Sequence, residues 1–137
     1  MKVYLVAGEP SGDKLGAELM AGLKSCAPYE LEFCGVGGPL MEEQGLTSLF
    51  PITEIAVMGI GEILAKYSFL KKRIKNTVDN ILRLKPDVLI TIDAPEFSLR
   101  VAKMVRKKLF INTIHYVAPT VWAWRPNRAK KISGYVD

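Results

Sequence analysis

Residues 87–92, DVLITI, constrain the fold more than any other stretch, because after the opening aspartate they are nearly all apolar. A short run that does not alternate between apolar and polar suits a strand covered on both faces. Pro86 separates it from what comes before, since the residue preceding a proline is pushed out of the helical region. Upstream lies a long helical pattern over roughly 60–84. There Ile60, Ile63, Leu64, Tyr67, Leu70, Ile74, Val78, Ile81 and Leu82 recur at three and four residues, with a break expected near Ser68.

The same alternation runs along the rest of the chain. Val3–Ala7 predicts a first strand, and Leu15, Leu19, Met20 and Leu23 predict a helix behind it. Leu31–Val36 predicts a second strand, closing on Gly35, Gly37, Gly38 and Pro39. Residues 46–58 mix Thr, Phe, Pro and Ile and follow no single period. A helix over roughly Glu96–Lys108, with a basic last turn that suits the helix dipole, and a strand over Ile111–Tyr116 follow. This pattern predicts the α/β class: one Rossmann-like domain over residues 1–137, a parallel sheet with helices on both faces. Tyr135 and Val136 read as the opening of a further strand, which places the chain inside a larger protein.

With 49% hydrophobic and 24% charged residues in 137, the chain can bury a sizeable core. No apolar run approaches the ~18 residues of a membrane span. The N-terminal MKVYLVAGEPSGD reads as a strand and not a signal peptide, because Gly and Asp interrupt its short apolar run. Cys26 and Cys34 therefore read as free buried thiols. The net charge of +5 is unevenly spread: residues 1–54 carry three Lys against eight acids, and the remainder sixteen Lys or Arg against six acids. The basic groups cluster at Lys66–Lys75, Arg100–Lys108 and Arg125–Lys131. Two readings stand, a basic half facing an anionic partner and plain solvated helix faces. Nucleic acid is disfavoured as that partner, because the basic residues lack the interleaved aromatics that stack bases.

In an open parallel sheet, ligands bind beyond the carboxyl ends of the strands, and each unusual cluster falls there. After the first strand comes AGEPSGD, residues 7–13, where Gly8 and Gly12 let backbone approach a ligand and Ser11 can cap the next helix. That helix N-terminus offers N–H groups to an anion or sugar hydroxyl, though a tight turn alone also explains the sequence. It is neither a Walker loop nor GxGxxG. GVGGPLM, residues 35–41, follows the second strand and is either a turn or a surface stripped of side chains for a bulky ligand. Asp93, in IDAPEF, is either a turn-forming or N-cap carboxylate or a general base at the ligand edge; Glu96 reads as a helix-dipole partner. His115, the single histidine, leads into HYVAPTVWAW, a loop too apolar for an ordinary surface. One His and two separated Cys do not make a zinc site, and no Ser-His-Asp arrangement is present.

Together AGEPSGDKLGA, GVGGPLM, VMGIGEIL, KPDVLITIDAPEF and HYVAPTVWAW, in this order and spanning almost the whole chain, closely resemble the lipid-A-disaccharide synthase family, bacterial glycosyltransferases of family 19. Glu96 stands where that family usually has Asp, and Ala118 and Thr120 where it usually has Ser. The resemblance implies a GT-B fold, with this chain most of the N-terminal lobe and the nucleotide-binding C-terminal lobe absent. It implies transfer from UDP-2,3-diacylglucosamine to 2,3-diacylglucosamine 1-phosphate, inverting the anomeric centre to give a β(1→6) disaccharide and UDP. Asp93 matches the catalytic aspartate. Gly8, Glu9, Ser11, Gly12, Asp13, Gly37, Gly38, Met58, Gly59, His115, Trp122, Trp124 and Arg125 fall on the motifs expected to contact substrate. No metal or cofactor is implied. The partners implied are the UDP-sugar donor, the acylated glucosamine phosphate acceptor and an anionic membrane surface, with the enzyme in the cytoplasm at the inner membrane. Another GT-B glycosyltransferase, a sugar-nucleotide epimerase, a basic nucleic-acid-binding module and a non-catalytic remnant are the rival readings.

Overall fold

The computed structural model describes residues 1–56, 63–117 and 126–137, with side chains described for all of these except residues 56, 63–65, 126, 128 and 129. The elements run β1 (Lys2–Ala7), α1 (Pro10–Cys26), β2 (Glu32–Val36), α2 (Pro39–Glu43), β3 (Thr47–Ser48), α3 (Thr53–Ala56), α4 (Ile63–Leu84), β4 (Val88–Ile92), α5 (Pro95–Arg106), β5 (Asn112–Tyr116) and α6 (Pro126–Ile132). The five strands form one sheet in the order β3-β2-β1-β4-β5, and every pairing is parallel. The expected Rossmann-like α/β architecture is present. The run DVLITI is indeed covered on both faces: all five residues of β4 are buried.

Alternate residues of the strands feed two cores. Tyr4, Val6 and Leu89 face Ile74, Val78 and Ile81 of α4 and Phe97, Val101 and Val105 of α5. Val3, Leu5, Ala7, Ile90 and Ile92 face Met20 of α1 and Met41 of α2. At roughly 25 cal/mol per Å² of apolar surface, two such cores supply the main stabilisation that holds the sheet rigid. β5 is an edge strand, with Ile114 and Tyr116 exposed.

Several boundaries differ from the expectation for physical reasons. Within the described residues α4 runs through Ser68 without a break, because Leu70 and Ile74 keep the apolar stripe on the sheet. Asp87 precedes β4 and pins it: its N–H donates to the Lys2 carbonyl at 2.9 Å, and its carboxylate accepts the Lys2 N–H at 2.7 Å. Tyr135 and Val136 do not form a strand. A turn off α6 holds Tyr135 through Ile132, and Asp137 alone pairs with Thr113 on β5, its N–H donating at 2.7 Å and its carboxylate accepting at 2.8 Å. Cys26, expected to be buried, is exposed at the end of α1, and Cys34 is half-buried on β2.

Candidate active site

β1 is the strand at which the chain reverses direction across the sheet. The connection through α1 leads to β2 on one side, and β4 lies on the other. A crevice opens beyond the carboxyl ends of two such strands, and this is where ligands bind in doubly wound sheets. The loops that meet there are Gly8–Glu9 after β1 and Asp93–Ala94 after β4. Gly8 makes their approach possible: a Cβ on it would stand 2.8 Å from the Cβ of Ala94.

Prolines start the helices that flank the crevice. Pro10, Pro39 and Pro95 each occupy the beginning of a helix, where a missing N–H is no loss and φ is already suitable. This moves both expected caps. Glu9, not Ser11, is the N-cap of α1, and Ala94, not Asp93, is the N-cap of α5; neither N-terminus has a side-chain cap hydrogen bond. Ser11, freed from capping, donates its hydroxyl to Asp93 Oδ2 at 3.3 Å across the crevice. Asp93 is half-buried, and its backbone N–H donates to the Tyr116 carbonyl at 3.1 Å.

The backbone here is strained. Asp93 and Ala94 have φ of 46° and 42°, and Val117, just past β5, has φ of 69°. A left-handed conformation costs a side-chain-bearing residue about 1–2 kcal/mol, and such residues concentrate at functional sites. His115 lies on β5 in register with Thr91, and its Nδ1 is 2.8 Å from the Thr91 hydroxyl. Burial lowers the His115 pKa, while the nearby Asp93 charge and a hydrogen bond to the Val117 backbone act against that fall. Thr91 is the residue that sequence reasoning missed. The signal for it was a fully buried hydroxyl in an otherwise apolar strand, two positions before Asp93.

The remaining expected contacts divide. Glu9 is exposed at the crevice, and Gly12 packs beneath it with Ala7. Asp13 turns away from the edge and is 5% exposed. Its Oδ1 accepts the N–H groups of Gly38 and Met41, both at 3.0 Å, and its Oδ2 accepts that of Leu40 at 3.1 Å. Its carboxylate thus accepts three N–H groups at the N-terminus of α2. Gly37 and Gly38 belong to that same contact, since Cβ atoms there would stand 2.6 Å from Met41 Sδ and 2.5 Å from Asp13 Oδ2. Close packing by itself requires glycine at both positions. Met58, Gly59, Trp122, Trp124 and Arg125 lie outside the described residues.

The family model for lipid-A-disaccharide synthetase matches residues 3–137. The chain belongs to the lipid-A-disaccharide synthetase family. Among curated relatives, the lipid-A-disaccharide synthase of Ruegeria pomeroyi is 55% identical over 137 residues, covering 100% of this chain and 34% of the relative. Those of Rhodospirillum centenum and Pseudomonas fluorescens are 48% and 50% identical, over 98% and 96% of this chain and 34% and 35% of theirs. The chain therefore spans about a third of the length of these relatives. Among solved structures, the UDP-GlcNAc 2-epimerase from Neisseria meningitidis bound to UDP-GlcNAc superposes with a TM-score of 0.61 at 14% identity, covering 99% of this chain and 39% of that one. That likeness establishes a shared fold.

On the α4–α5 face of this lipid-A-disaccharide synthetase family member, two of the basic clusters converge. Tyr67 is 48% exposed, with Lys71 Nζ 5.1 Å and the Arg100 guanidinium 5.8 Å from its ring. Arg73 is inward and structural, paired with Glu54 and stacked on Phe50 at 4.9 Å and Phe69 at 5.0 Å.

Proposed function

We propose that this chain supplies the acceptor-activating part of an inverting lipid-A-disaccharide synthase. The observation that carries the reading is the family match across residues 3–137, with Asp93 held by Ser11 at the crevice rather than spent on capping α5. The reaction joins UDP-2,3-diacylglucosamine to 2,3-diacylglucosamine 1-phosphate. Inversion requires a base on the face opposite UDP. Asp93 takes the proton of the acceptor's 6-hydroxyl as that oxygen attacks, leaving a β(1→6) linkage and UDP. Strain at Asp93 and Ala94 favours this, because it fixes the carboxylate before substrate arrives.

Gly8, Glu9, Ser11, Gly12 and His115 border the reacting groups, and the motifs bearing Met58, Gly59, Trp122, Trp124 and Arg125 supply further contacts. Asp13, Gly37 and Gly38 act indirectly, by fixing α2. Donor binding belongs mainly to a C-terminal lobe, so these 137 residues alone should form no disaccharide. No helix among the described residues is long and apolar enough to cross a membrane. The cationic, aromatic surface around Tyr67 suits peripheral contact with an anionic leaflet that presents the acylated substrates.

The test is Asp93→Asn in a full-length enzyme carrying these residues. Loss of a general base should lower kcat by roughly 10²–10⁴-fold with acceptor KM little changed. Near-normal turnover would remove Asp93 from the chemistry.

A further inference from the structure

We propose that Ser11 sorts the two free hydroxyls of the acceptor. Its hydrogen holds Asp93 and its oxygen takes the 4-hydroxyl, so that the 6-hydroxyl meets the base. The proposal rests on the general-base reading above and adds what selects the hydroxyl that reacts.

The contact between the two side chains fixes the direction of donation. A carboxylate that is to take a proton starts ionised, and in that form it only accepts. The hydrogen between Ser11 Oγ and Asp93 Oδ2, 3.3 Å apart, is therefore the serine's. Asp93 Oδ1 has no hydrogen-bond partner among the described residues and is the oxygen left for a proton. The backbone of Asp93 is held as well, by its N–H on the Tyr116 carbonyl at 3.1 Å.

With its hydrogen given to Asp93, the Ser11 hydroxyl can only accept from anything else it meets. No described residue donates to it. Ser11 stands in the first turn of α1 and is exposed, so a ligand can reach its oxygen. The Thr91 hydroxyl, two positions before Asp93, offers no alternative. It is fully buried and already bonded to the Ile114 carbonyl and to His115 Nδ1.

The acceptor's substitution pattern fits this pair of groups. Phosphate and acyl groups occupy carbons 1, 2 and 3, which leaves hydroxyls at carbons 4 and 6. These stand in a 1,3 relation, so their oxygens can come within hydrogen-bonding distance of each other. Ser11 Oγ and the Asp93 carboxylate, 3.3 Å apart, match that spacing. The 6-hydroxyl, on a rotating arm beyond the ring, reaches the half-buried carboxylate. The 4-hydroxyl, fixed on the ring beside the 3-acyl group, meets the exposed serine. In the transfer the 6-hydroxyl O–H bond breaks toward Oδ1 as its oxygen bonds the donor's anomeric carbon. The bond to UDP breaks with its electron pair leaving on UDP, and Ser11 keeps its own hydrogen throughout.

The test compares the acceptor with its 4-deoxy analogue in a full-length enzyme carrying these residues. Ser11→Ala should lower kcat/KM for the acceptor roughly three- to tenfold more than for the 4-deoxy analogue, as loss of one hydrogen bond requires. Any loss of folded enzyme affects both substrates alike and cancels in that ratio. Ser11→Thr, which keeps the hydroxyl, should restore the discrimination. Equal losses with both substrates, or a Ser11→Thr enzyme that treats them as Ser11→Ala does, overturn the proposal and leave the general-base reading intact. Near-normal turnover in Asp93→Asn would instead bring down the general-base reading, and this proposal with it.

Discussion

Asp13 offers a prediction whose size follows from its contacts. At the N-terminus of α2, Pro39 has no N–H, and the groups of Gly38, Leu40 and Met41 have no partner within their own helix. One carboxylate from α1 satisfies all three. In Asp13→Asn the amide oxygen can keep the place of Oδ1 and its two bonds. The amide nitrogen must then face the N–H of Leu40, donor against donor. A hydrogen bond to a charged group contributes about 1.5–3 kcal/mol, and the lost charge at a helix N-terminus adds roughly 0.3–1 kcal/mol. Asp13→Asn should therefore cost about 2–4 kcal/mol. Asp13→Ala strands all three donors and should cost more, on the order of 4–6 kcal/mol, a large share of the 5–15 kcal/mol typical of a domain. Urea unfolding of the 137-residue chain followed by circular dichroism reads this as a fall in midpoint at constant slope. Gly38→Ala crowds the same carboxylate, so its cost should fall well short of additive with that of Asp13→Asn. The reasoning fails if Asp13→Asn lies within about 0.5 kcal/mol of the parent, or if Asp13→Ala is no worse than Asp13→Asn.

Two surface changes should stabilise, as the same urea experiment would show. Gly22 is exposed inside α1 with nothing within 4 Å of an added Cβ, so Gly22→Ala should add about 0.5–1 kcal/mol. Lys85 ends α4 with φ of 46° and its N–H on the Ile81 carbonyl, so Lys85→Gly should relieve about 1 kcal/mol. The thiols should separate by reactivity. Cys26 is exposed and should label quickly, whereas burial pushes Cys34 up to about 11, so Cys34 should label slowly at pH 8. Because the folded Cys34 holds its proton more tightly than the unfolded thiol, whose value is 9.0, its contribution to stability is complete below pH 9 and lost as pH rises toward 11. A rate for Cys34 equal to that of Cys26 would refute this.

Most of the sheet was legible because β1 and β4 are continuous apolar runs and α5 has a clean amphipathic period. β3 was not, since two residues, Thr47 and Ser48, cannot show a period. Strand order was also out of reach: which strands become neighbours depends on crossover geometry and not on any local pattern. At the site, Asp93 and His115 stood out by residue type and position at strand ends. The glycines of GVGGPLM were not assignable from sequence, because closeness to a ligand and closeness to a buried carboxylate demand the same missing side chain. Capping misled. Ser11 and Asp93 are favourable cap residues, but the prolines beside them shift each helix start by enough to release both side chains.

The contact between Ser11 and Asp93 joins residues 82 positions apart in the sequence. During synthesis β1 can pair with β2 as soon as residue 36 has emerged, but its other flank stays open until β4 has been made. Closing so long a loop is slow in the folding of any parallel sheet, and meanwhile an apolar strand edge is exposed. The crevice therefore forms late, after the α1–α2 layer has had its partners for some fifty residues of translation. A nascent chain halted before Ile92 carries a preformed half-crevice without Asp93, and an edge on which another unfinished chain can pair.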